Sequence, residues 1–169
     1  MSELLKRMWP ILVAGMMSGA VQATDLNISG TVVATPCTVD TGSVSQDVDF
    51  GQLRGTDLKT AGEASDWIPF EVKLVGCPAS TTSATVTFSG ERASTDATLY
   101  ANTGSAVNVS VQMAQAANKA QVQGDGSTMT VAVDGQHNAV YELAGRLISA
   151  GDTGPGTFYS VVQMGFTYQ

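Results

Sequence analysis

Histidine occurs once in this chain of 169 residues, at position 137, and cysteine twice, at 37 and 77. One imidazole and two thiols without C-x-x-C spacing are too few ligands for a zinc centre. There is no G-x-S-x-G elbow, so the serines, aspartates and lone His137 carry no signal of nucleophilic catalysis. Acidic residues are scattered, and no carboxylate pair for glycoside hydrolysis can be argued from their spacing. Basic residues are scarce too. Lys and Arg number 8 against 15 Asp and Glu, for a net charge of -7. An acidic chain without a basic cluster argues against nucleic acid and anionic membrane surfaces as partners. The apolar run at 9–21 is broken by Pro10, Gly15 and Gly19. It falls short of the roughly 20 residues a membrane-spanning helix needs. These absences leave no expected enzyme, metal site or cofactor.

What is present begins with the leader. Lys6 and Arg7 precede the apolar run, and Val21-Gln22-Ala23 places small residues where a signal peptidase needs them. Residues 1–23 therefore read as a secretory signal peptide, with Thr24 opening the mature chain. Export changes the meaning of the cysteines. In an oxidising compartment Cys37 and Cys77 are expected to pair. The bridge closes a loop of about 40 residues and contributes roughly 3–4 kcal/mol in the chain-entropy model.

The full sequence has 18 glycines and only 14% charged residues, and the mature chain has few stretches with a helical repeat. Period-two alternation is frequent instead. Phe70, Val72 and Leu74 alternate with Glu71 and Lys73; Val86 and Phe88 alternate with Thr85 and Thr87. Val107, Val109, Val111 and Met113 share one face, as do Met129, Val131 and Val133, and Tyr141, Leu143 and Leu147. Residues 44–53 read as a further extended piece, with Val48 and Phe50 on one face, and residues 54–66 as a loop or short helical turn. Seven or eight short strands at even spacing predict an all-β Greek-key sandwich of immunoglobulin type. Gly124-Asp125-Gly126 and Gly151-Asp152-Thr153-Gly154 read as turns; they lack the run of oxygen ligands that calcium requires. Asn27-Ile28-Ser29 and Asn108-Val109-Ser110 match the glycosylation triplet but fall within predicted strands.

Both ends of the mature chain alternate. At the C-terminus, Phe158, Val162, Met164, Phe166 and Tyr168 share one strand face, and Gly156 marks the expected strand start. That face must be buried, and a strand at a sheet edge also leaves a row of unpaired backbone groups. At the N-terminus, Leu26, Ile28, Gly30 and Val32 share a face.

With Pro36-Cys37-Thr38-Val39 after that extension, Val75-Gly76-Cys77-Pro78 after a strong strand, and a C-terminal strand with penultimate Tyr168, the chain resembles a pilin of the chaperone–usher pathway. Val48-Asp49-Phe50-Gly51-Gln52-Leu53, residues 58–67 and Phe88-Ser89-Gly90 look most like the minor, adaptor-type subunits of type 1 fimbrial tips. The extension of residues 24–32 is a residue or two shorter than in such adaptors. The resemblance implies an incomplete immunoglobulin-like sandwich that lacks its seventh strand and is completed by donor-strand complementation, a mode of strand addition for which pilins are a standing example. It divides the chain into signal peptide 1–23, donor extension and start of the first strand 24–36, and pilin domain 37–169. It makes Leu26, Ile28, Gly30 and Val32 the donor residues. Gly156, Phe158, Val162, Met164, Phe166 and Tyr168 become the acceptor groove. The implied partners are a periplasmic pilus chaperone, an outer-membrane usher and neighbouring pilin subunits, including a tip adhesin. The implied location is the cell-surface fimbria, reached through the periplasm, and the implied role is in fimbria-mediated adhesion. The alternatives are a major rod pilin and a fimbrial adhesin. Cys37 lies only about 14 residues into the mature chain, which leaves no room for a separate lectin domain ahead of it.

Overall fold

A computed structural model describes residues 36–169. The predicted signal peptide, the predicted donor residues Leu26, Ile28, Gly30 and Val32, and the first glycosylation triplet lie outside the described residues. Within them the chain forms eight strands: β1 (Thr38–Val39), β2 (Ile68–Val75), β3 (Ser83–Gly90), β4 (Tyr100–Ala101), β5 (Val109–Gln115), β6 (Thr128–Ala132), β7 (Ala139–Ser149) and β8 (Val162–Tyr168). One 3-10 turn, Gly55–Leu58, falls where the sequence predicts a loop or helical turn. The strands build two antiparallel sheets, one in the order β1-β2-β7-β5-β4 and the other in the order β6-β3-β8. The all-β sandwich expected from the alternation is the fold observed.

Period two explains which side of each strand is inside. From β2 come Val72 and Leu74, from β3 Ala84, Val86 and Phe88, from β5 Met113, and from β7 Ala139, Tyr141 and Leu143; all are buried between the sheets. Burial of each large apolar side chain contributes roughly 1.5–3 kcal/mol. The Cys37–Cys77 disulfide forms, with Cα atoms 4.2 Å apart. It ties the entry to β1 to the turn after β2, and Cys77 donates its N–H to the carbonyl of His137 at 3.0 Å. The single histidine thus lies in the exposed turn after Asp134, with a positive φ of 62°.

Three local expectations are corrected. Residues 44–53 are not a paired strand. Asp49 accepts the N–H of Gly51 at 2.7 Å, and Gly51 turns at φ 63°, so the segment bends and finds no ladder. Val107 stands outside β5 and is exposed, because Asn108 at φ 59° interrupts the strand before Val109. The last strand begins at Val162, not at Gly156. Residues 156–161 are held by the loop at 102–106 instead. Ala106 donates to the Thr157 carbonyl and Thr103 to the Tyr159 carbonyl, both at 2.8 Å, while Tyr159 donates to the Asn102 side-chain oxygen at 2.8 Å. Glycine is required on both sides of this clasp. A Cβ on Gly104 would collide with the Thr157 carbonyl, and one on Gly156 with the backbone of Ala106.

Candidate functional site, a cleft beside the last strand

Among the described residues strand β8 is at the edge of its sheet and pairs only with β3, in the register Ala84↔Tyr168 to Gly90↔Val162. Ser83 and Gln169 exchange both backbone hydrogen bonds, at 3.1 and 3.0 Å. In an antiparallel ladder this exchange recurs at every second residue. It therefore uses the backbone groups of Thr167, Gly165 and Gln163. The N–H and C=O groups of Val162, Met164, Phe166 and Tyr168 point the other way, and no backbone partner for them is found among the described residues. The side chains of these four residues are partly buried against the core, while Gln163, Gly165 and Thr167 are exposed. The same residues thus offer apolar side chains inward and hydrogen-bonding groups outward.

That free edge borders a cleft of about 1560 Å³. Its floor comes from the five-stranded sheet, with Phe70 and Val72 of β2, Val111 and Met113 of β5, and Leu147 of β7. The unpaired segment 44–53 forms the facing wall. There Val48 and Phe50 are partly buried, as the predicted face requires, while Val44 and Leu53 are exposed. Phe50 reaches across to Phe158 in an edge-to-face contact, with centroids 5.6 Å apart. The Phe50 ring rests over Gly145, whose missing side chain makes the room: a Cβ there would sit 3.1 Å from the ring tip. Further along, Phe166 packs on Tyr141 at 5.7 Å. Asp47 and Asp49 are the only charged residues of the lining among the described residues, and both are exposed. Among the described residues no cationic side chain lines the cleft.

At the C-terminal end of β8, the Tyr168 hydroxyl lies 3.5 Å from the Cys37 carbonyl, and burial raises its pKa. Burial, and secondarily the neighbouring Tyr168, raise that of Tyr141. The Tyr141 hydroxyl is buried without a partner among the described residues. Of the sequence-predicted groove residues, Val162, Met164 and Phe166 line the cleft from β8. Gly156 and Phe158 line it from the clasped segment before β8, and Tyr168 lies beyond the lining. The floor residues were not among the predicted site residues. Their alternation marked them as inward-facing, but which part of the interior stays open depends on sheet order. Among the described residues no cluster of three or more His, Cys, Asp or Glu side chains could hold a metal ion. The Gly124-Asp125-Gly126 turn has an internal use: Asp125 accepts from Gly90 N–H at 3.1 Å and pairs with Arg92 at 2.7 Å.

Comparison with known proteins supplies the context. Residues 26–169 match the family described as fimbrial protein. The chain is 34% identical over 160 residues to protein FimG of Escherichia coli strain K12, with 92% of each chain covered. It is 33% identical over 165 residues to the S-fimbrial adhesin protein SfaS of Escherichia coli O6:K15:H31, covering 94% of this chain and 96% of that one. Among solved structures, the P pilus rod subunit PapA superposes with a TM-score of 0.68 at 21% identity, covering 80% of this chain and all of that one. A chaperone–usher pilus subunit superposes at 0.65 and 23% identity, covering 88% and 97%. The two-sheet fold with its bordered cleft and a match over nearly the whole chain agree: the chain belongs to the fimbrial protein family and is a pilin of the chaperone–usher type, a structural subunit of a fimbria.

Proposed function

We propose that the cleft receives a single strand from another molecule, and that this chain in turn supplies its own extension to a neighbour. The observation that carries the reading is the edge of β8. Four residues there combine inward apolar side chains with outward N–H and C=O groups, beside an apolar floor. A strand laid along that edge would gain a backbone ladder, and its alternate side chains would enter the cleft, which sets register. On this reading a periplasmic chaperone fills the cleft first and an outer-membrane usher oversees its replacement by the next subunit's extension. The donor is residues 25–32, with Leu26, Ile28 and Val32 inserted and Gly30 matched to a shallow part of the neighbour's cleft. Each inserted apolar side chain contributes roughly 1.5–3 kcal/mol. A subunit that is donor at one end and acceptor at the other makes a heterologous contact that propagates as a filament.

Within the fimbria we assign an adaptor position, on the resemblance of residues 48–53 and 58–67 to adaptor-type subunits and the similarity to FimG. The role is structural and not enzymatic. The subunit passes through the periplasm to the surface fimbria and contributes to adhesion as part of the fibre. The similarity to a protein named as an adhesin, over almost the full length of both chains, keeps direct receptor binding as the second reading.

The test is expression of the full chain with and without its chaperone, followed by sizing. The expected outcome is a one-to-one complex with chaperone, and polymers or degradation without it. A stable monomer in the absence of chaperone would overturn the reading. A variant lacking residues 24–32 should still bind chaperone but fail to extend fibres; continued fibre growth would refute the donor assignment.

A further inference from the structure

The small sheet has a second free edge, on β6. Among the described residues this strand pairs only with β3, in an unbroken register from Ser83↔Ala132 to Thr87↔Thr128. Phe88 donates to the Ser127 carbonyl and Val133 to the Thr82 carbonyl, at 3.0 and 2.9 Å. The alternation of the ladder then directs Met129 and Val131 toward β3 and turns the N–H and C=O groups of Thr128, Thr130 and Ala132 outward. All three residues are exposed, and no backbone partner for them is found among the described residues. Soluble proteins blunt such edges with lysine, proline, bulges or a covering loop. Residues 127–133, Ser-Thr-Met-Thr-Val-Ala-Val, carry neither charge nor proline; a bulge, Gly126 (φ 81°) and Ser127 opposite Phe88, stands before the strand, and from Thr128 to Ala132 the register is unbroken.

The adjoining outer face is also uncharged. Thr85 lies between Thr130 and Thr167, its hydroxyl 2.8 Å from that of Thr130, and Thr87 lies opposite Thr128. On a chain with a net charge of -7, a neutral strip is where a second copy of the same acidic molecule can approach. The sequence around β6 suits that approach. If two β6 strands run antiparallel about a two-fold axis at Thr130, Thr128 of one copy faces Ala132 of the other. Asp125 then faces Gly135, and Asp134 faces Gly126. No carboxylate meets a carboxylate.

We propose that β6 is a lateral self-association edge, where two copies of this chain join their three-stranded sheets into one six-stranded sheet through a β6–β6 ladder centred on Thr130. The partner is a second copy of the chain, the contact is isologous, and it closes at a dimer. It lies on the opposite edge of the sheet from β8 and does not depend on how the cleft is filled. One contact is short and weak. Along two fibres that each display it, the contacts act together and gain by avidity.

The test uses the full exported chain, with single cysteine substitutions, held as its one-to-one complex with chaperone so that the cleft is filled and no fibre grows. The self-paired Thr130 residues would have Cα atoms about 5.5 Å apart, within the range a disulfide spans. Thr130→Cys should therefore give a covalent dimer and nothing larger under mild oxidation. Thr128→Cys should not, because its own copy lies four residues along the strand, about 13 Å away. A separate variant, Thr130→Pro, removes an outward N–H without breaking the β3 ladder. It should weaken self-association by about tenfold or more in sedimentation equilibrium, with far-ultraviolet circular dichroism unchanged. The proposal is overturned if Thr130→Cys gives no dimer or if Thr128→Cys cross-links equally well. Unchanged association of a folded Thr130→Pro variant would overturn it too.

Discussion

Phe166 and Thr167 are neighbours on β8 with opposite exposures, and a carboxylate placed at each separates the cleft from the strand that borders it. Phe166 is partly buried on the core side, packed on Tyr141 at a centroid distance of 5.7 Å, whereas Thr167 is exposed on the outer face. Complete truncation of a buried Phe costs about 3–5 kcal/mol, so partial burial sets the loss of packing in Phe166→Asp at about half of that, about 2 kcal/mol. Among the described residues the new carboxylate finds no cation in the cleft lining, whose only charged residues there are Asp47 and Asp49. An incoming strand would enclose it, and an unpaired charge taken out of water costs several kcal/mol more. At about 1.4 kcal/mol per tenfold, chaperone capture should fall by at least about a hundredfold. Thr167→Asp, on the solvent side, should stay within about 0.5 kcal/mol of the parent. Co-purification with the chaperone at equal expression reads both. Intact capture by Phe166→Asp, or equal damage from Thr167→Asp, would refute the assignment of the cleft.

Removal of the disulfide by Cys37→Ser with Cys77→Ser should lower stability by about 4 kcal/mol for a loop with a separation of 40 residues, seen as a lower denaturant midpoint of the strand-complemented subunit. Gly104→Ala should cost about 1–3 kcal/mol by overpacking, because its methyl group collides with the Thr157 carbonyl; amide exchange at Thr103, Ala106 and Tyr159 should accelerate together. Asp125 has its pKa lowered by the Gly90 N–H bond first and by Arg92 second. A carboxylate with a depressed folded pKa stabilises the fold above its unfolded value of 3.8. That contribution is lost as pH falls through the folded value. Asp125→Asn should therefore flatten the acid limb of a stability–pH curve below about pH 4 and leave its slope near neutrality unchanged.

The fold was legible where neighbouring residues determine it. Alternation in β2, β3, β7 and β8 follows from a period of two against one buried face, and the cysteine count with an export signal led directly to the disulfide. What escaped depends on distant partners. The early residues of the C-terminal run, Phe158 to Val161, break the alternation, with Ser160 on the face of Phe158 and Val162 and with Tyr159 and Val161 exposed on the other. They leave the ladder because the loop of Asn102 to Ala106 takes their hydrogen bonds. Tyr100–Ala101 is a strand only because Val111 and Ser110 lie opposite it. Phe50 showed as an inward residue. Its place over Gly145, from a segment without a ladder, required the tertiary structure.

The two free edges of the small sheet have unequal strength for reasons that can be read from their side chains. Beside β8 the edge residues carry Val, Met, Phe and Tyr toward an apolar floor, so a strand added there gains hydrophobic burial as well as a ladder. Beside β6 the corresponding outward-bonding residues are Thr128, Thr130 and Ala132, whose side chains face solvent, so a strand added there gains little beyond the ladder. Net hydrogen bonds contribute only about 0.5–1.5 kcal/mol each, whereas each apolar side chain enclosed adds roughly 1.5–3 kcal/mol. On the readings proposed above, the β8 edge makes the durable joint along the fibre and the β6 edge a reversible one between fibres. Exchanging Thr128 and Thr130 for valine would not make the β6 joint resemble the β8 joint, because no cleft lies beneath that outer face to receive the added methyl groups.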